Sequence, residues 1–150
     1  MTDAVALLRP LQPEAADALE QASVVATATV PDPAVFELCR ARTAELLGHP
    51  AIAVDPRLQP DEVKRASLAD WRRSDAYTDK DRAHLEFTEQ YLMSVAALTD
   101  AHVDALLAHG GPLDVHTFIT ALYVTEFRMR LSLVAAAVLG DDDREAPVPA

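Results

Sequence analysis

The chain has 150 residues and a net charge of −11; half of its residues are hydrophobic and only 5% are aromatic. That length suits one domain with room for a core, and the acidic balance excludes nucleic acid and an anionic membrane surface as partners, since both bind a basic face. A single cysteine, Cys39, excludes an internal disulfide framework, a Cys-x-x-Cys redox pair and a cysteine-rich zinc site, and its free thiol fits a reducing, cytoplasmic setting.

Alanine and leucine dominate, which favours closely packed helices and predicts an all-α fold, a single-domain bundle of about six helices. Met1 to Arg9 has no basic start and only a short apolar run, so it does not read as a signal peptide. Pro13 to about Ala28 has helical spacing, although its β-branched end, Val24 to Val30, suits extended chain as well. Asp32 before Pro33 predicts a helix start, with Phe36, Cys39, Thr43 and Leu46 on one face and Gly48-His49-Pro50 as the stop.

Pro56 to Pro60 reads as a loop, and Asp61 to Ser74 as one or two short helices ending near Trp71. Thr78 opens the next helix, with Asp79 and Asp81 at its positive end and Leu85, Thr88, Leu92 and Val95 as its inner stripe. Thr99 caps a short helix that stops at Gly110-Gly111-Pro112. Asp114 is expected to cap the last, long helix, whose inner face would run through Val115, Phe118, Ile119 and Leu122 and on through Phe127, Leu131, Val134 and Val138. Phe118 to Leu139 is long enough to raise the question of a membrane span, but Glu126, Arg128 and Arg130 in its middle would cost several kcal/mol in a bilayer. Residues 1–140 are thus read as one domain and residues 141–150 as an acidic tail without fixed structure.

Glu37-Leu38-Cys39-Arg40-Ala41-Arg42, followed by Leu46, Gly48, His49 and Ile52, resembles the reactive segment of the alkylhydroperoxidase D-like (AhpD-like, carboxymuconolactone decarboxylase-like) family. Trp71 to Thr78, the helix carrying Glu89, the Thr99 to Leu106 segment and Arg130-Leu131 are similar to later parts of the family pattern, so the resemblance covers about residues 32–139. In that family a glutamate, two thiols and a histidine form a peroxide-reducing relay. Here the glutamate position is Glu37, the thiol positions fall on His49 and Ile52, and the relay histidine falls on Pro56. The resemblance implies an all-helical scaffold that assembles as a homo-oligomer, a trimer or larger, with pockets near subunit contacts.

Two residues are candidates for catalysis. Glu37 could act as a general base if burial raised its pKa, or could simply pair with Arg40 or Arg42 on its own helix. His49 could supply an acid or base near neutrality, or could cap the end of its helix. Twelve residues of helix span about 18 Å, so the two cannot meet along one straight helix. Cys39 lies on an apolar stripe, where a thiol behaves as a small hydrophobe of raised pKa. Glu89, between Leu85 and Leu92, is expected to be partly buried and to need a partner, with Arg128 or Arg130 as candidates. Trp71 and Tyr77 read as core or interface anchors.

His84, His102, His109 and His116 show no metal-ligand spacing, and no phosphate loop or nucleophile elbow is present. No metal or cofactor is therefore expected. The leading expectation is a family member without thiol chemistry that binds a small apolar ligand or serves as an assembling scaffold. The second is an acid–base enzyme of the decarboxylase or lyase type using Glu37 and His49. The third is a residual peroxidase working through Cys39, which lacks a resolving thiol.

Overall fold

The computed structural model describes residues 3–50 and 61–139. Among them it contains no strand and seven α-helices: α1 (Ala4–Leu8), α2 (Pro13–Ala28), α3 (Pro33–Leu47), α4 (Glu62–Ala66), α5 (Asp79–Met93), α6 (Asp100–Leu107) and α7 (Pro112–Leu139). Short 3₁₀ turns at Leu68–Asp70 and Val95–Ala97 join α4 to α5 and α5 to α6. The all-α expectation holds. The extra helix is α1, too short to show a period in sequence. The expected loop at Pro56 to Pro60, Ile52 and the acidic tail lie outside the described residues.

The helix starts follow local chemistry. Asp32 Oδ1 accepts from the Val35 amide at 3.2 Å, with Pro33 at the first helical position. Thr78 and Asp81 form a reciprocal box: the Asp81 amide donates to Thr78 Oγ1 at 3.2 Å and the Thr78 amide to Asp81 Oδ2 at 2.8 Å. At the head of α7 the expected cap is displaced by three residues. Pro112 is the first helical residue, and Asp114 reaches back to accept from the Gly111 amide at 3.1 Å. The end of α2 is helical through Ala28 rather than extended.

Helix α3 is the centre of the bundle and packs against both α5 and α7. Its first half is buried all round, from Val35 through Cys39. Phe36, Phe87 and Phe118, one from each of α3, α5 and α7, meet edge-on with centroids 6.3–6.5 Å apart. Trp71 and Tyr77 close the same core. A second, smaller cluster of Val5, Ala16 and Leu19 with Leu8 and Leu131 forms where α1 and α2 lie on the far half of α7.

Three inner-face expectations are corrected. Leu46 is exposed, because the buried arc of α3 narrows after Thr43 and Ala44. Val95 lies beyond the end of α5 in the 3₁₀ turn and is exposed. On α7, Phe127, Val134 and Val138 are 48%, 59% and 65% exposed, while Met129, Ser132 and Ala135 are buried. The buried stripe keeps the heptad step from Leu122 to Met129 and then runs through small residues. These let α1 approach closely enough for the Ala4 amide to donate to Ser132 Oγ at 3.0 Å. Among the described residues no helix is long and apolar enough to cross a membrane.

Candidate functional site

Glu37 sits in the fully buried part of α3 with its carboxylate wholly enclosed. Arg40, one turn later, donates from Nε to Oε2 at 2.8 Å and from Nη2 to Oε1 at 2.9 Å, the planar two-bond geometry that suits guanidinium and carboxylate. Arg65 at the end of α4 brings Nη1 to 3.8 Å from Oε1. Of the two arginines expected as partners, Arg40 is the one that engages. Arg42, five residues on from Glu37, lies about 140° round the helix from it at 100° per residue, and it turns the other way.

Arg42 goes to Glu89 instead. Its Nε donates to Glu89 Oε1 at 2.7 Å, and the Trp71 indole donates to the same oxygen at 2.9 Å. Arg72 pairs with the other oxygen and lays its guanidinium 4.3 Å above the Trp71 ring. The expectation that Arg128 or Arg130 would serve Glu89 is corrected. Arg128 faces the N-terminal helices and pairs with Asp3 and Glu20, and Arg130 pairs with Glu126 on its own helix. Burial alone would raise the Glu89 carboxyl, but the Trp71 and Arg42 hydrogen bonds and the charges of Arg42 and Arg72 outweigh it and hold the pKa below its ordinary value.

His49 ends α3 in a Schellman turn. Gly48 adopts the left-handed conformation at φ 66°, its amide donates to Glu45 O at 3.2 Å, and the His49 amide donates to Ala44 O at 2.9 Å. A residue with a Cβ is disfavoured at this φ, which explains the glycine. The His49 ring donates from Nδ1 to the Pro50 carbonyl at 3.0 Å, since a carbonyl can only accept.

The imidazole lines a cavity of about 250 Å³ with Arg40, Arg65 and Glu45, over an apolar floor of Ala41, Ala44 and Leu68. Glu37 is not in that lining. The structure therefore connects the two predicted site residues indirectly. Glu37 stands behind Arg40 and Arg65, and these two arginines share the cavity wall with His49.

Compared with protein-family models, with curated proteins and with solved structures, the chain matches none. The site must be read from its own chemistry.

Cys39 is completely buried, hydrogen-bonded through Thr88, and burial together with the nearby Asp81 charge pushes its thiol up to about 12. A thiol held that far from ionisation presents almost no thiolate at neutral pH. The Ile52 and Pro56 positions of the resemblance lie outside the described residues. Among the described residues no cluster of three or more His, Cys, Asp or Glu could hold a metal.

Arg65 was invisible as a site residue in the sequence. Nothing in its spacing marks it, because α4 meets α3 only through tertiary packing. Lys64 beside it serves architecture, donating from Nζ to the buried Asp81 at 2.7 Å.

Proposed function

We propose that this chain is a small-ligand-binding member of the AhpD-like fold family that does no thiol chemistry, and that its ligand occupies the cavity bounded by Arg40, Arg65 and His49. The carrying observation is that Arg65 reaches Glu37 only at 3.8 Å, an ion-pair distance, while lining a cavity whose other faces are Ala41, Ala44 and Leu68. Apolar floor and guanidinium rim together suit a small, largely hydrocarbon molecule with one anionic end. Glu37 acts in this reading as the anchor that aims the arginines rather than as a proton carrier.

Hexanoate is a suitable probe. Calorimetric titration into the wild type should give saturable one-site binding, lost in Ala44→Trp, which fills the floor, and weakened in Arg65→Gln. Equal binding of hexanoate by wild type and Ala44→Trp would remove the cavity from consideration.

The acid–base reading keeps one supporting observation, the presence of His49 in the lining of the same cavity. It would use His49 as the base, with Glu37 acting only through the arginines. Peroxidase action through Cys39 is disfavoured by the raised thiol pKa and full burial. A reducing, cytoplasmic setting and a homo-oligomeric assembly belong to the same proposal. The first is supported by the free thiol, the second by the exposed apolar stripe of Tyr123, Phe127, Val134 and Val138 on α7.

A further inference from the structure

A second cavity, also of about 250 Å³, opens at the opposite end of α3 and shares no lining residue with the first. Its walls come from four helices: Asp32 and Val35 at the start of α3, Lys80 and His84 on α5, Leu106 and His109 at the end of α6, and Asp114, Val115 and Phe118 on α7. Most of the polar groups there are already engaged. Lys80 Nζ binds Asp32 Oδ2 at 2.7 Å, Asp32 Oδ1 caps α3, and Asp114 Oδ2 takes the Gly111 amide.

The two histidines differ from these: among the described residues the exposed His109 ring makes no side-chain hydrogen bond, and the buried His84 ring is engaged on one side alone. His84 is 8% exposed, and its ring packs edge-on against Phe118 at 4.7 Å and donates from Nδ1 to the Lys80 carbonyl at 2.7 Å. A carbonyl can only accept, so the proton is on Nδ1 and Nε2 carries a lone pair. No described residue donates to that nitrogen, and no buried side-chain nitrogen or oxygen lacks a partner. Nε2 is therefore not enclosed by protein, and His84 is one of the residues that line this cavity.

We propose that this cavity binds a neutral, single-ring compound bearing a hydroxyl, with the hydroxyl donating to His84 Nε2 and the ring lying among Val35, Leu106, Val115 and Phe118. Size supports the single ring, because an apolar cavity of about 150 Å³ admits benzene. Charge supports neutrality. Lys80 is matched by Asp32, and Asp114 adds a further carboxylate, so the wall disfavours a carboxylate or phosphate. Hydrogen-bond logic supports the hydroxyl, since a ligand hydroxyl that donates to the accessible Nε2 makes a bond that an apolar isostere cannot.

Acid should weaken the binding, because protonation converts Nε2 from acceptor to donor. Burial, with the Lys80 and His109 charges, lowers the His84 pKa against the opposing Lys80 carbonyl bond and Asp32. The acceptor form is thus the one present at neutral pH. Asp114 on α7 completes the charged groups around the cavity.

The test uses the wild-type chain, ¹⁵N-labelled, titrated at neutral pH with phenol, toluene or benzoate while histidine ring nitrogens are followed by NMR. Phenol should bind saturably and shift His84 Nε2, and should bind about five- to tenfold more tightly than toluene, the ratio one neutral hydrogen bond supplies. Benzoate should leave His84 unshifted. His84→Leu should bind phenol and toluene alike, and if that variant does not fold, the wild-type shifts still decide. Absence of phenol binding, equal affinity for toluene, an unmoved Nε2, or a benzoate shift equal to that of phenol would each overturn the proposal. Ala44→Trp, which blocks the other cavity, should leave phenol binding intact, so the two sites fail independently.

Discussion

Arg40 grips the Glu37 carboxylate with two parallel hydrogen bonds of 2.8 and 2.9 Å from one turn away on the same helix. The pair converts a buried charge into a rigid support, and Arg65 extends it from α4. Removing the carboxylate charge leaves two guanidiniums facing a neutral amide in a closed site. Glu37→Gln is expected to lower unfolding free energy by about 2–3 kcal/mol, read from urea denaturation. A loss within error of zero would show that the arginines relax freely to solvent.

Cys39 should be chemically silent in the folded protein. With no exposed surface and a thiol pushed up to about 12, it has neither access nor thiolate. Ellman's reagent at mildly alkaline pH should label it only as fast as the chain unfolds, and label it promptly in denaturant. Cys39→Ala should consume peroxide at the wild-type rate in the presence of a dithiol. Rapid stoichiometric labelling of the native protein would restore the peroxidase reading.

Glu89 sets part of the acid limit of stability. Its folded pKa lies below the ordinary 4.5 even though burial opposes the shift, so the folded state binds its proton less readily than the unfolded chain. The stabilisation is therefore present above about pH 4.5 and is lost as pH falls through the depressed folded value. Glu89→Gln should be less stable than wild type at pH 7, and the two stability curves should converge on acidification below pH 4.5. Parallel curves would mean that Glu89 titrates alike in both states. Asp3 and Asp32, lowered by hydrogen bonds and charge from Arg128 and Lys80 against burial, should steepen the same acid limb.

The features legible in sequence were those decided within a few residues. Asp32 and Thr78 announce their helices because each side chain meets an amide three positions on, and Gly48 marks a stop because the turn needs a left-handed residue. On α7 the large apolar side chains do not mark the inner face. The core there selects Ser132 and Ala135 for close approach, and leaves Phe127 and Val134 outside. Glu89 was recognisable as buried, yet its partners Arg42 and Trp71 stand 47 and 18 residues away. For Glu37 and His49 the helix length forbade direct contact, but only tertiary structure could supply Arg65 as the link.

The outward face of α7 carries an apolar stripe. Tyr123, Phe127, Val134 and Val138 stand on α7 at steps of four, seven and four residues, spacing that returns to one side of a helix. Each is more than two-fifths exposed, and no described helix covers them. Such a stripe is costly in water and is the natural contact between copies of the chain. Multi-angle light scattering should therefore find an oligomer in the wild type, and the double variant Phe127→Glu, Val134→Glu should shift it to monomer. Neither site is in the core, so far-UV circular dichroism should keep its helical signal, and the melting temperature should lose its dependence on protein concentration. A wild-type chain that runs as a monomer at high concentration would leave the stripe as plain surface, and the assembly part of the proposal would fall with it.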